Sequence, residues 1–266
     1  MLLREVAYAK PSSLAEALAL LAADDGARAL AGGQTLVNVM KARAGSPDAL
    51  VDLNGLEELK GIELGADGTL EIGAMTTYTE IVASSEARAR PILGEVCAQI
   101  ADVQVRNRGT IGGNVCTNDP TNHLPPLLAA LGARFTIASG GGERTISAED
   151  FFLGVYMTAV GTGELLTRIS VPAGRNDGFA AVTLGVDGTC IVSAAATVNG
   201  SARVALGCVD AVPVVLTPAA TDADAVRQAV RAANLDPPSD VHASADYRRH
   251  LAEVLAVRAI TEAQRS

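Results

Sequence analysis

Apolar positions along this chain alternate between a helical period and a strand period, and the changes of period divide it into short elements. Leu14, Leu18 and Leu21 recur at helical spacing behind Ser13, with Glu16 placed as in a capping box. Asp24-Asp25-Gly26 ends that helix. Arg28 to Ala31 then reads as a short strand, and Leu36, Val39 and Met40 predict a helix leaving the glycine-rich stretch between them. Leu50 to Leu53 is a second strand, and Ile62 to Leu64 with Leu70 to Ile72 flank Ala66-Asp67-Gly68 as a hairpin. Thr76 or Thr77 can cap a helix running to about Ala83, and Ile92, Val96 and Ile100 predict one long helix over 87–100.

Asp119-Pro120 and Pro125-Pro126 bracket a turn, after which Leu127 to Leu131 begins another helix. Arg134 to Ala138 reads as a strand and Gly140-Gly141-Gly142 as a loop. Gly, Pro and Asn cluster between Pro172 and Asp177, which marks a boundary. Beyond it, Ile191 to Val198 and Ala202 to Val209 flank Asn199-Gly200, a pair suited to the positive φ angles of a two-residue hairpin turn. The stretches 222–233 and 243–263 read as amphipathic helices, the second with Leu251, Val254, Leu255 and Ile260 on one side. The fold class is α+β, without internal repeats.

Two segments interrupt this pattern: Ala31-Gly32-Gly33-Gln34-Thr35 and Thr110-Ile111-Gly112-Gly113-Asn114. Each offers backbone N–H groups that no Cβ shields, ahead of a segment that reads as helix, and such a site suits an anion. Neither is G-x-G-x-x-G, and neither is G-x-x-x-x-G-K-[ST], so a Rossmann site and a P-loop both lack required residues. On the residues alone two readings stay open: paired tight turns, or a diphosphate-bridged cofactor gripped from both sides.

Composition narrows the partners. The chain has 266 residues, 48% of them hydrophobic and 19% charged, which suits a globular protein with a substantial core. Its net charge of −9 argues against nucleic acid or an anionic membrane surface, so a bound phosphate must be held mainly by N–H groups. Aromatic residues are only 3% and Trp is absent, which disfavours base-stacking platforms. Cys97, Cys116, Cys190 and Cys208 are widely spaced, without a C-x-x-C pair or a His at zinc-ligand spacing, and read as buried free thiols. Cys116 draws notice because it follows the second glycine segment by two residues. No apolar stretch has membrane-spanning length and no secretory leader begins the chain, so the expected location is cytoplasmic, without membrane insertion.

The remaining polar candidates read as structural. Asp102, Arg106 and Arg108 fix the second glycine segment, Arg248-Arg249 is a solvated pair or a subunit contact, and His242 and His250 carry no role. Tyr156 is a packed aromatic or lies near a cofactor ring. No Ser-His-Asp set, nucleophile elbow or carboxylate pair is present to serve as a catalytic group, and no metal ligands are apparent.

Further motifs surround the glycine segments. Arg106 to Asn114 and Ala31 to Leu36 are joined by Ile72-Gly73-Ala74-Met75-Thr76-Thr77-Tyr78, Phe151-Phe152-Leu153-Gly154-Val155-Tyr156, Gly163-Glu164-Leu165-Leu166, Ala205-Leu206-Gly207-Cys208-Val209 and Ala243 to Leu251. In this order they resemble the FAD-binding medium subunits of molybdenum hydroxylases, the carbon monoxide dehydrogenase and xanthine dehydrogenase flavoprotein family, over essentially the whole chain. The resemblance implies a two-subdomain FAD-binding domain of the PCMH or vanillyl-alcohol-oxidase-like type (1–57 and 58–173) and a C-terminal α+β domain (174–266). It implies FAD held by Ala31, Gly32, Gly33, Gln34, Thr35, Leu36, Ala101, Thr110, Ile111, Gly112, Gly113, Asn114, Thr117, His123 and Leu166. His123 stands where relatives usually carry an acidic residue, and relatives often have a Lys near Thr183. The implied activity is that of an oxidoreductase subunit passing electrons from iron–sulfur clusters to an external acceptor. Its implied partners are a small subunit with two 2Fe–2S clusters and a large molybdopterin subunit, in a heterotrimer. Two rivals are a free-standing flavin oxidase or reductase of the same fold and a FAD-less scaffold subunit.

Overall fold

A computed structural model describes residues 3–185 and 188–266. The N-terminal part runs β1 (Ala7–Ala9), α1 (Leu14–Ala23), β2 (Ala27–Leu30), α2 (Leu36–Lys41) and β3 (Ala49–Asp52). The strands form a parallel sheet in the order β1-β3-β2, which requires crossovers of the kind α1 and α2 provide. Both β2 and β3 begin and end one residue earlier than the apolar pattern predicts. Ser13 caps α1 by accepting the Glu16 N–H at 3.2 Å, while the Glu16 carboxylate reaches back to the N–H of Ser12 at 2.7 Å. The cap is therefore a capping box displaced by one residue. Leu18, Leu21, Val51, Leu53, Leu56 and Leu59 close this part's core.

Next come β4 (Ile62–Leu64), β5 (Leu70–Gly73), α3 (Tyr78–Ala83), α4 (Ile92–Ala98), α5 (Val103–Arg106), α6 (Ile111–Thr117) and α7 (Leu124–Ala130). They are followed by β6 (Arg134–Ser139), β7 (Gly142–Ser147), α8 (Ala148–Phe151), β8 (Phe152–Gly154), β9 (Met157–Thr158) and β10 (Leu165–Val171). An antiparallel five-stranded sheet has the order β4-β5-β10-β6-β7. Thr77 and Glu80 cap α3 with a complete capping box. The predicted long helix over 87–100 is two pieces, a 3-10 turn at Glu86–Ala89 and α4. Pro91 disfavours helical backbone at Arg90, which sits at φ −137° and ψ 81°. Helix α7 begins at Leu124, earlier than expected, because Pro125 and Pro126 fall in its first turn, where a missing N–H costs nothing.

The last part is β11 (Asp177–Thr183), β12 (Cys190–Asn199), β13 (Ser201–Gly207), β14 (Val214–Leu216), α9 (Ala223–Ala232) and α10 (Ala245–Ala263). Its antiparallel sheet runs β11-β12-β13-β14. The hairpin pairs Val198 with Ala202 and Asn199 with Ser201, leaving Gly200 alone at the apex with φ +80°. The expected two-residue turn is thus replaced by a tighter pairing in which only the glycine is left-handed. Ala194 and Ala196 face α10, whereas Ala195, Ala205 and Phe179 belong to the core of the preceding part. Both faces are covered, and β12 is accordingly buried without a break from Cys190 to Thr197, with Ser193 the one polar side chain among Cys190–Ala196.

Two arginines are fully enclosed. Arg90 donates to both Asp177 oxygens at 2.8 and 2.9 Å and to the Pro172 carbonyl, fastening the segment before α4 to β11. Arg248 is buried as well, donating to the Ile191 carbonyl and to Asp240 at 2.6 Å. This corrects the reading of Arg248 as solvated; its carbonyl partner Ile191 lies 57 residues away, and a charge pattern reveals no contact with a backbone oxygen.

Candidate functional site

The two glycine segments meet, but they are built differently. In the first, the chain leaves β2, turns at Gly33 with φ +71°, and enters α2 at Leu36. Among the described residues no hydrogen bond takes the N–H of Gly33, Gln34 or Thr35. The turn is stiffened from outside those donors. The Gln34 side chain donates to the Gly32 carbonyl at 3.1 Å and Asn38 to the Gln34 carbonyl at 2.7 Å. Asn54 donates to the Ala31 carbonyl at 3.1 Å. Asp52 holds Asn54 in turn, accepting its backbone N–H at 3.0 Å and its side-chain amide at 2.6 Å, while Tyr8 donates to the other carboxylate oxygen at 2.5 Å. Burial would raise the Asp52 carboxyl, but the Tyr8 and Asn54 donors outweigh it and hold it below the usual carboxylate value.

The second segment is no loop. Thr110 is the N-cap of α6, and Gly112 and Gly113 lie in the first turn of that helix. Its N–H groups are already used. Ile111 donates to the Thr76 carbonyl and Gly112 to that of Ala74, both at 2.9 Å. Gly113 donates to Thr110 Oγ1 at 3.1 Å and Asn114 to the Thr110 carbonyl at 3.0 Å. This overturns the expectation of a second row of free donors. Glycine is needed for close approach instead: a Cβ on Gly112 would lie 2.6 Å from both the Cβ and the carbonyl oxygen of Ala74.

Convergence of the segments is equally tight. A Cβ on Gly32 would overlap the Arg108 carbonyl, and one on Gly113 would stand 3.7 Å from the Ala31 Cβ. Beside this junction Asn114 donates to the Tyr78 hydroxyl at 3.0 Å, while its own Oδ1 is buried without a protein partner among the described residues. Burial pushes the Tyr78 phenol well up, so it stays a neutral hydrogen-bonding group. Open backbone donors on one side, a close-packed helix start on the other and an unsatisfied amide oxygen fit a long polar ligand carrying a diphosphate.

The other named residues spread around this junction. Ala101 precedes α5 in left-handed backbone, φ +45°, with its carbonyl accepting from Arg106 at 2.5 Å. Thr117 ends α6 and donates to the Gly113 carbonyl at 2.8 Å. His123 precedes α7, its ring centroid 5.2 Å from that of Phe179 of β11 in an edge-to-face arrangement. The Leu166 side chain is buried in the central core on β10. Sequence reasoning missed Tyr8, Asp52, Asn54 and Tyr78, the supports of the two segments. Asn54-Gly55 directly after β3 is the one local signal that could have drawn attention to the first support.

Paired glycine segments closing on each other make a cradle suited to a dinucleotide. Residues 4–174 match the family model of the FAD binding domain in molybdopterin dehydrogenase, and residues 173–263 match that of the CO dehydrogenase flavoprotein C-terminal domain. The chain is 36% identical to the carbon monoxide dehydrogenase medium chain of Afipia carboxidovorans, over 97% of this chain and 96% of that one. It is 33% identical to the nicotine 6-hydroxylase medium subunit of Paenarthrobacter nicotinovorans, covering 99% of each. Reconstituted CO dehydrogenase from Oligotropha carboxidovorans superimposes with a TM-score of 0.93 at 35% identity, over 100% of this chain and 99% of the other. Quinoline 2-oxidoreductase from Pseudomonas putida 86 gives 0.91 at 34%, over 99% of both. The chain belongs to the FAD-binding medium-subunit family of the molybdenum hydroxylases. Its α+β fold class, its class as an oxidoreductase flavoprotein and its cofactor FAD follow from that membership. Relatives of this kind are subunits of larger complexes. Among the described residues no helix is long and apolar enough to cross a membrane, and no cluster of three His, Cys, Asp or Glu side chains could hold a metal.

Proposed function

We propose that this chain is the FAD-carrying relay of a molybdopterin, iron–sulfur and flavin complex, taking electrons from a small subunit with two 2Fe–2S clusters and passing them to an external acceptor. The large molybdopterin subunit would hold the substrate, and the three chains would form a heterotrimer working in the cytoplasm. Bound FAD supplies the exchange between paired and single electrons that such a relay needs. The chain's own residues bind, orient and shield it. The free N–H groups of Gly33, Gln34 and Thr35 carry the reading, because they can face a diphosphate without a basic side chain, as the charge of −9 demands. Ala31, Gly32 and Leu36 frame those donors. Thr110, Ile111, Gly112 and Gly113 form the opposing wall, while Asn114 brings an unsatisfied oxygen to the ligand. Ala101, Thr117, His123 and Leu166 complete the proposed contact set. The division into 1–57, 58–173 and 174–266 gives this function two FAD-binding lobes and a C-terminal support.

Purification with the products of neighbouring genes tests the proposal. The expected preparation is yellow, with about one FAD per chain and with iron and molybdenum in the same complex. A flavoprotein that purifies alone and oxidises its own substrate would favour the free-standing rival. A colourless chain that takes up no FAD would overturn the flavin assignment.

A further inference from the structure

Among the described residues, three of the four buried side-chain atoms without a partner belong to residues around two thiols: His123 Nδ1, Ser193 Oγ and Arg248 Nε. Cys190 opens β12 and Cys208 follows β13, and the fold buries both and brings the Cys208 sulfur against Cys190. Their surroundings differ. Cys208 donates its S–H to the Pro120 carbonyl at 2.8 Å and lies 3.5 Å from the Cys190 carbonyl, and two acceptor oxygens hold that thiol in its protonated form. Cys190 faces the Cys208 thiol, the His123 ring and the Ser193 hydroxyl, groups that can donate to a thiolate. The guanidinium of Arg248 lies against the Ile191 carbonyl, next to Cys190. Cys208 also holds left-handed backbone, φ +63°, a conformation that costs a non-glycine residue energy and that clusters at working sites.

Cys97 and Cys116 provide the contrast inside the same molecule. Burial alone pushes their thiols up to about 12, as expected for inert core cysteines. At Cys190 the neighbouring donors act the other way and lower the thiol, while the Cys190 side chain and burial raise Cys208. A cleft of about 10 Å³, enough for one water-sized molecule, is lined by Asn118, Asp119, Pro120, Gly207 and Asp210.

We propose that Cys190 and Cys208 are a peroxide-responsive thiol pair that closes to a disulfide, with Cys190 attacking and Cys208 resolving. His123 takes the Cys190 proton. The thiolate attacks hydrogen peroxide, so an S–O bond forms, the O–O bond breaks, and the departing hydroxide is protonated to water. Cys208 then attacks the Cys190 sulfenic acid. The S–S bond forms, the S–O bond breaks, and the hydroxyl leaves as water with the Cys208 proton. Two thiols are oxidised to one disulfide, and one peroxide is reduced to two waters. The new bond draws Cys208 away from Pro120 and ties the end of β13 to the start of β12, where the segment before α7 meets the C-terminal sheet.

The test uses the full chain and needs no bound flavin, so its failure is separable from failure of the FAD reading. Arg203 lies between the two cysteines, and trypsin therefore separates Cys190, in peptide 176–203, from Cys208, in peptide 204–227. After brief peroxide treatment, alkylation under denaturing conditions and digestion without reductant, these two peptides are expected linked, with Cys97 and Cys116 fully alkylated. In Cys208→Ser, with its fold checked by circular dichroism, dimedone should label Cys190 as the trapped sulfenic acid. Four alkylated cysteines after peroxide would overturn the proposal. So would a Cys190 that stays unlabelled in Cys208→Ser, or Cys97 and Cys116 reacting as fast as Cys190.

Discussion

Both glycine segments look alike as text, each a Gly-Gly followed by an amide side chain, yet one stays open and the other is filled. Gly33, Gln34 and Thr35 keep their N–H groups free because Gln34, Asn38 and Asn54 stiffen the turn through its carbonyls. At the second segment the Ala74, Thr76 and Thr110 oxygens consume every N–H from Ile111 to Asn114. Glycine therefore serves ligand access in the first segment and backbone packing in the second. The difference teaches that a glycine pair reports thinness, and that its hydrogen-bond accounts decide what the thinness is for.

The comparison breaks most visibly at Gly112. Gly112→Val forces a side chain into Ala74, and the expected cost is about 3 kcal/mol or more, read as a large drop in Tm or loss of soluble protein. Unchanged stability would mean that the second segment is as open as the first. Gly33→Val should do the opposite. Its neighbours, Val37 and Leu30, are side chains 3.2 and 3.3 Å away that can yield, and left-handed backbone adds about 1–2 kcal/mol. The chain should fold but hold FAD roughly 10–100-fold more weakly, the size expected from losing a hydrogen bond to a charged group. A variant that keeps its flavin through dialysis would remove the first segment from the binding site.

A smaller effect belongs to Asp52, which acts on the first segment through Asn54. Its carboxyl is held below the ordinary value, so its contribution to stability is complete above about pH 4 and fades as pH falls through the lowered value. Asp52→Asn should be less stable than the parent at pH 7, and the gap should close in acid. Urea midpoints at pH 7 and pH 3 check this, and a gap that stays constant would exclude the carboxylate as the cause.

Much of the architecture was legible in the chain itself. Local periodicity locates α1, α3, α9 and α10, and Asn199-Gly200 marks the hairpin of β12 and β13 although its pairing is tighter than expected. Strand β7 escaped because it is a mostly exposed edge whose Glu143, Arg144 and Thr145 carry no apolar alternation. The long helix was misread because Ile92, Val96 and Ile100 keep helical spacing beyond Pro91, and the apolar pattern gives no sign of the break that Pro91 imposes just before them. At the candidate site the glycine segments could be found, but the state of their donors could not. Ala74 and Thr76 meet Gly112 and Ile111 only in three dimensions, and the same is true of Cys190, Cys208 and His123. Arg248 hid for that reason too: its partner Ile191 lies 57 residues away.

The Arg90–Asp177 pair also bears on how the chain comes off the ribosome. The two partners are separated by 87 residues, roughly 4–17 s of synthesis at common elongation rates. Throughout that interval the guanidinium has no carboxylate to meet, and enclosing it alone would leave an uncompensated buried charge. Nascent chains that stop short of β11 are therefore held back from completing their core, and the C-terminal strand arrives as the signal that the earlier lobes can close.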